Sequence, residues 1–277
     1  MLENVTVKLC DVHTHLQDLR LSSTIHQVIR RSMAVGVTHM VCCGVQESDW
    51  HGVATLATQY PGVFPAFGLH PWFISSRSPD WLDRLQQLLQ TTGAAVGEIG
   101  LDRSVSPRND AEQISVFTSQ LTLAKAYKRP VNVHCRKAFG LLADLLKENG
   151  GLPHGGVIHS YSGSADMVKV FEKSGAHISF SGSLTRPHNK KVRQAARAVS
   201  LERLLIETDT PDILPTGAPE GLNEPAHVHL VLKTLAQLRQ ESIEVLANAT
   251  FANAARLFKF HDHDQNPVIE VLDGGIP

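Results

Sequence analysis

Two histidines separated by one residue follow the first β-rich run of the chain. They lie in the segment DVHTH, residues 11–15. Side chains two apart on an extended segment point to the same side, so the imidazoles of His13 and His15 can bind one metal ion together. Isolated HxH pairs occur by chance. The position of this pair carries more weight, because ligands of parallel α/β proteins bind at the carboxyl ends of the strands.

Other apolar runs also stop at ionisable residues, and six of the eight predicted strand ends do so. The additional strand-end residues are His70, Glu98, His134, His159 and Asp209. Such residues are costly to bury unless they are paired or bound to metal, and imidazole and carboxylate are the usual ligands of divalent ions. We interpret the set as metal ligands, except His70, which we expect to line the pocket and hold a substrate phosphate or a water molecule.

Most of the remaining histidines have a simpler interpretation. The chain contains 15 histidines, and His39, inside an apolar run, is typical of a hydrogen-bonded core residue. We interpret a further group as structural or solvated: His26, His51, His154, His177, His227, His229, His261 and His263.

The elements that must position these residues alternate between short β-rich runs and longer stretches with helical periodicity. The predicted strands are residues 7–12, 39–43, 63–69, 95–98, 131–134, 156–159, 177–180 and 204–207. The predicted helices include residues 80–90, 110–127, 138–147, 165–173, 189–199 and 226–239. This alternation indicates a parallel sheet with helical crossovers. Periodicity alone leaves a closed eight-unit barrel and an open doubly wound sheet as alternatives.

Length and composition predict a single domain without a general attraction to polyanions. A length of 277 residues suits one α/β barrel. Lys and Arg total 26 against 27 Asp and Glu, a formal net charge of −1, which gives no general attraction to nucleic acid or anionic membranes. We expect the domain to span residues 1–260, with residues 242–258 forming a helix outside the sheet and residues 261–277 a tail.

The four cysteines and the N-terminus predict a reducing setting. Cys10, Cys42, Cys43 and Cys135 form no CxxC pair, so we interpret them as structural thiols. No basic region followed by an apolar run begins the chain, and no apolar stretch approaches a membrane span. We therefore predict a soluble cytoplasmic protein with no membrane association and no obligate protein partner.

The motifs taken together resemble the TatD family of metal-dependent deoxyribonucleases, in the amidohydrolase-like superfamily. The resemblance runs from about Lys8 to Phe260 and rests on HxH, GLHP, GEIGLD, VNVHCR, VIHSYSGS, ETDTP and the element Asn223-Glu224-Pro225. It implies a single-domain α/β fold of the (β/α)8 TIM barrel type. Two departures are visible: the family often has Ser where this chain has Cys135, and Arg where this chain has Leu222.

The resemblance also implies roles for the candidate ligands. His13, His15 and Asp209 would hold one divalent ion, His134 and His159 a second, and Glu98 would bridge the two. The ions would be Mg²⁺, Mn²⁺ or Zn²⁺, and two-metal chemistry would make Asp209 and Glu98 catalytic. We expect Glu207 to orient a ligand from outside the metal shell. Asp102 would do the same or form a salt bridge with Arg103.

Substrate contacts are predicted on the loops beside these strand ends. Arg136 and Arg103 are candidates for binding phosphate, and the rings of Trp72 and Tyr161 for stacking on a base. The most basic stretch, residues 183–193, is either a solvated helix face or a phosphate-binding surface.

Three functions are compatible with the sequence. The leading hypothesis is a nuclease that cuts phosphodiester bonds of single-stranded DNA or frayed DNA ends. The alternative is an ester or amide hydrolase of the same superfamily, such as a D-aminoacyl-tRNA deacylase. The third is a barrel whose metal site serves scaffolding or nucleic-acid binding without turnover. The full ligand set argues against it, because structural metal sites tend to be closed and four-coordinate.

Overall fold

Eight parallel strands form the centre of the computed structural model, which describes residues 7–260. The strands are β1 Leu9–Thr14, β2 Val37–Cys43, β3 Val63–Phe67, β4 Ala95–Asp102, β5 Val131–Arg136, β6 Gly156–Ile158, β7 Ala176–Phe180 and β8 Leu204–Ile206. They pair in sequence order from β1 to β8. Thr14 bridges to Thr210, and the His15 N–H donates to the Thr210 carbonyl at 2.7 Å. This contact joins the last strand to the first, so the predicted (β/α)8 barrel is confirmed.

Helices follow the strands along the chain. They are α1 Ile25–Ala34, α2 Glu47–Gln59, α3 Trp81–Thr91, α4 Asp110–Ala126, α5 Phe139–Glu148, α6 Ala165–Lys173, α7 Lys190–Ala198, α8 Val228–Arg239 and α9 Ile243–Phe258. The sequence did not single out α1 and α2. Helix α2 contains Gly52 and two threonines, which are poor helix formers, and burial of Trp50, Val53 and Leu56 stabilises it instead.

The core has two layers, one between strands and helices and one inside the barrel. The inner layer consists largely of small or β-branched residues, including Cys10, Val12, Val41, Cys43, Ala66, Ala95 and Val157. The side chains of Ala254, Leu257 and Phe258 from α9 pack against this inner layer. The Asn253 side chain anchors the helix by donating to the carbonyl of Leu204, the first residue of β8, at 2.9 Å.

Helix α9 thus lies outside the sheet, as expected, but it packs against the end of the barrel and not around its wall. Small inward-facing residues leave the amino-terminal end of the barrel unfilled, and the apolar face of α9 closes it. The prediction of structural thiols is confirmed, because all four cysteines are free and buried.

No helix within residues 7–260 is long and apolar enough to cross a membrane. The predicted tail, residues 261–277, and the histidines His261 and His263 lie outside the described residues.

We predict that Phe258→Ala lowers the free energy of unfolding by about 3–5 kcal/mol, because it removes a buried ring from the closed end of the barrel. Chemical denaturation followed by circular dichroism measures this. Val245→Ala on the same helix is the matched control, since Val245 is 49% exposed, and it should change stability by less than about 0.5 kcal/mol. Equal effects of the two substitutions would show that α9 does not close the barrel.

Candidate metal centre

The carboxylate of Glu98 lies at the middle of a cluster at the carboxyl ends of the strands. Glu98 is only 3% exposed. Its Oε1 atom lies 2.8 Å from His159 Nε2 and 3.1 Å from His134 Nδ1. Its Oε2 atom lies 3.4 Å from His15 Nε2 and 3.5 Å from His13 Nε2. One carboxylate thus faces two pairs of imidazoles.

Asp209 completes the side of the cluster formed by His13 and His15. Its Oδ1 atom lies 3.6 Å from the Nε2 atoms of both histidines. The backbone of Asp209 has φ 61°, in the left-handed region that non-glycine residues adopt uncommonly and Asp tolerates better than most. This turn directly after β8 places the carboxylate at the mouth of the barrel.

The outer nitrogens of His13 and His15 are both occupied. His13 Nδ1 lies 2.8 Å from Asn132 Oδ1, and His15 Nδ1 lies 2.8 Å from the Cys43 carbonyl. The Asn132 amide nitrogen donates to the Val12 carbonyl, so its Oδ1 must accept from His13. Each ring therefore carries its proton on Nδ1 and directs the lone pair of Nε2 inward. The two Nε2 atoms are 3.1 Å apart.

His134 and His159 are oriented in the same manner by carboxylates. His134 Nε2 lies 3.2 Å from Asp102 Oδ2, so Nδ1 faces Glu98. His159 Nδ1 lies 3.5 Å from Glu207 Oε1, a distance too long for a hydrogen bond but within the range of an ion pair. Glu207 is held by the Ser160 N–H at 2.6 Å and by the Ser179 hydroxyl. These positions fit the predicted orienting roles of Asp102 and Glu207.

This donor set fits divalent metal ions. Four imidazoles direct a lone pair toward shared carboxylates while the other ring nitrogen faces an acceptor, as is usual for histidines that bind metal. Two lone pairs 3.1 Å apart, as on His13 and His15, repel each other unless a cation or a proton lies between them. The groups His13–His15–Asp209 and His13–Glu98–His159 each place their ligand atoms within 4.8 Å of one another.

The electrostatics of the cluster also favour positive charge. Burial alone would raise the pKa of Glu98, but the imidazoles of His70 and His159 hold it well below its usual value. Burial disfavours the charged form of His15, yet the carboxylates of Asp209 and Glu98 raise its pKa to about 9. A bound cation would satisfy the carboxylates without requiring these protons.

Two glycines allow β4 to lie close to β5 beside Glu98. A Cβ atom at Gly100, where φ is 151°, would meet the His134 carbonyl oxygen at 2.0 Å. A Cβ atom at Gly97 would meet the Asn132 side chain at 2.7 Å. Any larger residue would push β4 away from β5 and separate Glu98 from His134.

A family model described as TatD related DNase matches residues 10–259 of the chain. The chain belongs to the TatD family of metal-dependent hydrolases. Because the match covers nearly all of the described residues, the resemblance drawn from the motifs is confirmed.

Several TatD relatives align over nearly the whole chain. YjjV of Escherichia coli, named an uncharacterized metal-dependent hydrolase, is 33% identical to this chain. The alignment covers 91% of this chain and 98% of the length of YjjV. Its crystal structure superposes with a TM-score of 0.88 and covers 92% of this chain and 99% of that chain. A protein of Yersinia pseudotuberculosis named 3′-5′ ssDNA/RNA exonuclease TatD is 30% identical to this chain. The alignment covers 90% of this chain and 98% of the length of that protein.

Residue His70, in the GLHP motif of this TatD chain, differs from the four ligand histidines. Its Nδ1 accepts from the Trp72 backbone N–H at 3.1 Å, so its Nε2 carries the proton. Nε2 points at Glu98 Oε1 from 3.4 Å, and burial lowers the pKa of His70 to about 3. Although His70 groups with Glu98 and His134 by distance, a ring in this tautomer donates a hydrogen bond and does not bind metal.

Of the predicted substrate contacts, Trp72 and Arg136 lie at the rim of the site. Trp72 is 55% exposed, and its indole N–H donates to Asp102 Oδ2 at 2.7 Å. Arg136 is exposed at the end of β5. Arg103 pairs with Asp110 at 2.9 Å, so the alternative of an Asp102–Arg103 salt bridge is wrong.

Tyr161 does not fit the predicted stacking role. It is 1% exposed and packs its ring against Phe139, Phe171 and Phe180. Its hydroxyl donates to the Ser164 carbonyl at 2.8 Å. The ring therefore has no face available to a substrate.

Asn132 and Asn223 were not among the predicted site residues. Asn132 precedes His134 by two residues on β5, and this spacing puts both side chains on one face of the strand. The spacing could therefore have identified Asn132 as a site residue. Asn223 donates through Nδ2 to the carbonyls of Thr208 and Asp212, each at 2.8 Å, and so holds the turn that carries Asp209. Its position in the NEP motif was the only signal.

We predict that Asn132→Ala weakens divalent-metal affinity by about 10–100-fold, because His13 loses the acceptor that fixes its tautomer. Competition with a chromophoric chelator measures the affinity for Zn²⁺ or Mn²⁺. Asn248→Ala is the matched control, since Asn248 is exposed on α9. The metal affinity of this variant should equal that of the wild type. Unchanged affinity in folded Asn132→Ala would rule out this orienting role.

Proposed function

We propose that this protein is a metal-dependent nuclease that hydrolyses phosphodiester bonds of single-stranded DNA or frayed DNA ends. The observation that carries the proposal is the cluster around Glu98, in which four imidazoles and two carboxylates converge. The outer nitrogens of three of the imidazoles are hydrogen-bonded, and that of His159 faces Glu207 at 3.5 Å. The relative named 3′-5′ ssDNA/RNA exonuclease, which aligns over 98% of its own length, supports a nucleic-acid substrate.

The residues divide into two ligand groups around Glu98. His13, His15 and Asp209 would hold one divalent ion, and His134 and His159 would hold the other. Glu98 would bridge them, since its two oxygens face different histidine pairs. When bound, such ions neutralise charge on a phosphodiester and make a water molecule more acidic.

Asp209 would accept a proton from the attacking water. Its side chain is 15% accessible, whereas Glu98 is almost fully enclosed. Burial opposes ionisation of Asp209, but the nearby imidazoles of His15 and His13 hold its pKa far below the usual value. The carboxylate is therefore ionised at neutral pH and open to water.

His70, Trp72 and Arg136 would bind the substrate. His70 Nε2–H is a neutral donor that can shift from Glu98 to a phosphate oxygen. The exposed face of Trp72 can stack on a terminal base, and Arg136 can pair with a backbone phosphate. The formal net charge of −1 favours binding of an end in this cleft over wrapping of a duplex.

We expect the purified protein to shorten end-labelled single-stranded DNA stepwise with Mg²⁺ or Mn²⁺, and to release nothing with EDTA. Glu98→Ala should lower the rate by at least about 1,000-fold, because the carboxylate shared by both ligand groups is lost. Denaturing gels over a time course measure the cleavage.

The control for that assay is Glu148→Ala, purified in parallel, which removes an exposed carboxylate from the end of α5. Its rate should match the wild type. Equal cleavage by Glu98→Ala and the wild type would identify a contaminating nuclease. No cleavage by metal-loaded wild type, together with deacylation of an aminoacyl-tRNA, would replace the nuclease proposal with ester hydrolysis.

A second experiment separates the two contacts of Trp72. Trp72→Ala should raise KM for single-stranded DNA by about 5–100-fold, because base–aromatic stacking contributes about 1–3 kcal/mol. Trp72→Phe keeps a ring but cannot donate to Asp102. It should retain most of the affinity if stacking dominates. Equal KM values for wild type and Trp72→Ala would exclude a stacking role.

A further inference from the structure

A second pocket lies at the end of the barrel opposite the metal centre. It has a volume of about 570 Å³. Its walls come from the segments that precede β6 and β8, from the start of β7 and from the end of α9. The ionisable side chains that line it are His154, His177, Glu202, Arg203, Arg256 and Lys259.

His177 is the buried polar group of this pocket. It is 5% exposed, and its Nδ1 atom has no hydrogen-bond partner among residues 7–260. Burial, together with the charges of Arg203 and Arg256, lowers the pKa of His177 to about 4, which favours the neutral ring. A buried ring nitrogen without a partner is uncommon and unfavourable, so a ligand in the pocket would be its natural partner.

Two guanidinium groups near His177 have unused donors. Each carries five N–H donors. Arg203 donates to the Gly175 carbonyl at 3.4 Å, and Arg256 donates to the Asn253 side chain. Within the described part of the chain, neither arginine forms an ion pair. With Lys259 the walls carry three cations against the single carboxylate of Glu202, a net charge of +2 when His177 and His154 are neutral.

We infer that this pocket binds a phosphate group, either as inorganic phosphate or as the phosphate monoester of a small molecule. Phosphate offers several acceptor oxygens, which match the planar donor forks of Arg203 and Arg256. It would also accept from His177 when the ring carries its proton on Nδ1. The volume lies in the range of small-molecule sites, which is large enough for a mononucleotide.

This site is independent of the proposed nuclease activity. Its residues lie at the amino-terminal ends of β6, β7 and β8 and at the end of α9, whereas the candidate metal ligands lie at the carboxyl ends of the strands. Substitutions here should therefore leave metal binding and hydrolysis unchanged, and failure of one proposal would leave the other standing.

Isothermal titration calorimetry of inorganic phosphate and of adenosine 5′-monophosphate into the whole protein tests the inference. Arg256→Gln should weaken binding at this site at least about tenfold, because it removes a charge-assisted hydrogen bond. Arg30→Gln is the matched control, since Arg30 is an exposed arginine on α1 outside the pocket, and it should bind as the wild type does. Any phosphate bound at the metal centre is common to all three proteins and cancels in the comparison.

The imidazole ¹⁵N resonances of His177 provide a local readout, assigned by their loss in His177→Phe. They should shift on addition of either ligand to the wild type and shift much less in Arg256→Gln. Tighter binding of the nucleotide than of phosphate would identify a monoester as the ligand, and equal binding would identify the phosphate group alone. Unmoved His177 resonances, or equal binding by Arg256→Gln and Arg30→Gln, would overturn the inference.

Discussion

Burial of an ionised carboxylate is unfavourable by several kcal/mol unless positive charge or strong hydrogen-bond donors lie beside it. Glu98 is such a group, since its environment holds its pKa low although it is almost fully enclosed. Neutral imidazoles that turn lone pairs toward it do not supply that charge. Protons or cations at the centre must supply it. Only cations do so while His13 and His15 keep their inward tautomers, which the surrounding residues hold.

The groups that orient the ligands come from distant parts of the chain, which couples closure of the barrel to the metal site. Asn132 on β5 orients His13 on β1, across the interior of the barrel. The Cys43 carbonyl at the end of β2 orients His15, and Glu207 after β8 approaches His159 after β6. A shift of any one strand would disturb a ligand on another. Gly97 and Gly100 act in the same way by fixing the spacing between β4 and β5.

The strands and the convergence of the ligands could be predicted from the sequence because both depend on local patterns. A short β-rich run that ends in His, Glu or Asp is visible in a few residues, and parallel strands bring all such ends to one rim. Tyr161 could not be predicted in this way. It lies two residues after His159, but Ser160 has φ 42°, and the chain turns so that the ring enters the core. The packing of α9 likewise depends on tertiary contacts with no local signal.

The two ends of the barrel differ in how their charges arise. Cations near the end of a helix are stabilised by its exposed carbonyl groups, and that effect accounts for Arg256 and Lys259 at the end of α9. It does not account for Arg203, which lies in a short 3-10 turn before β8. Nor does it account for His177, whose ring lies inside a strand with an unpartnered nitrogen among the described residues. Two cationic elements and a buried imidazole from three separate segments converge on one cavity, which helix-end stabilisation alone would not produce. An anion shared among them would satisfy all three at once.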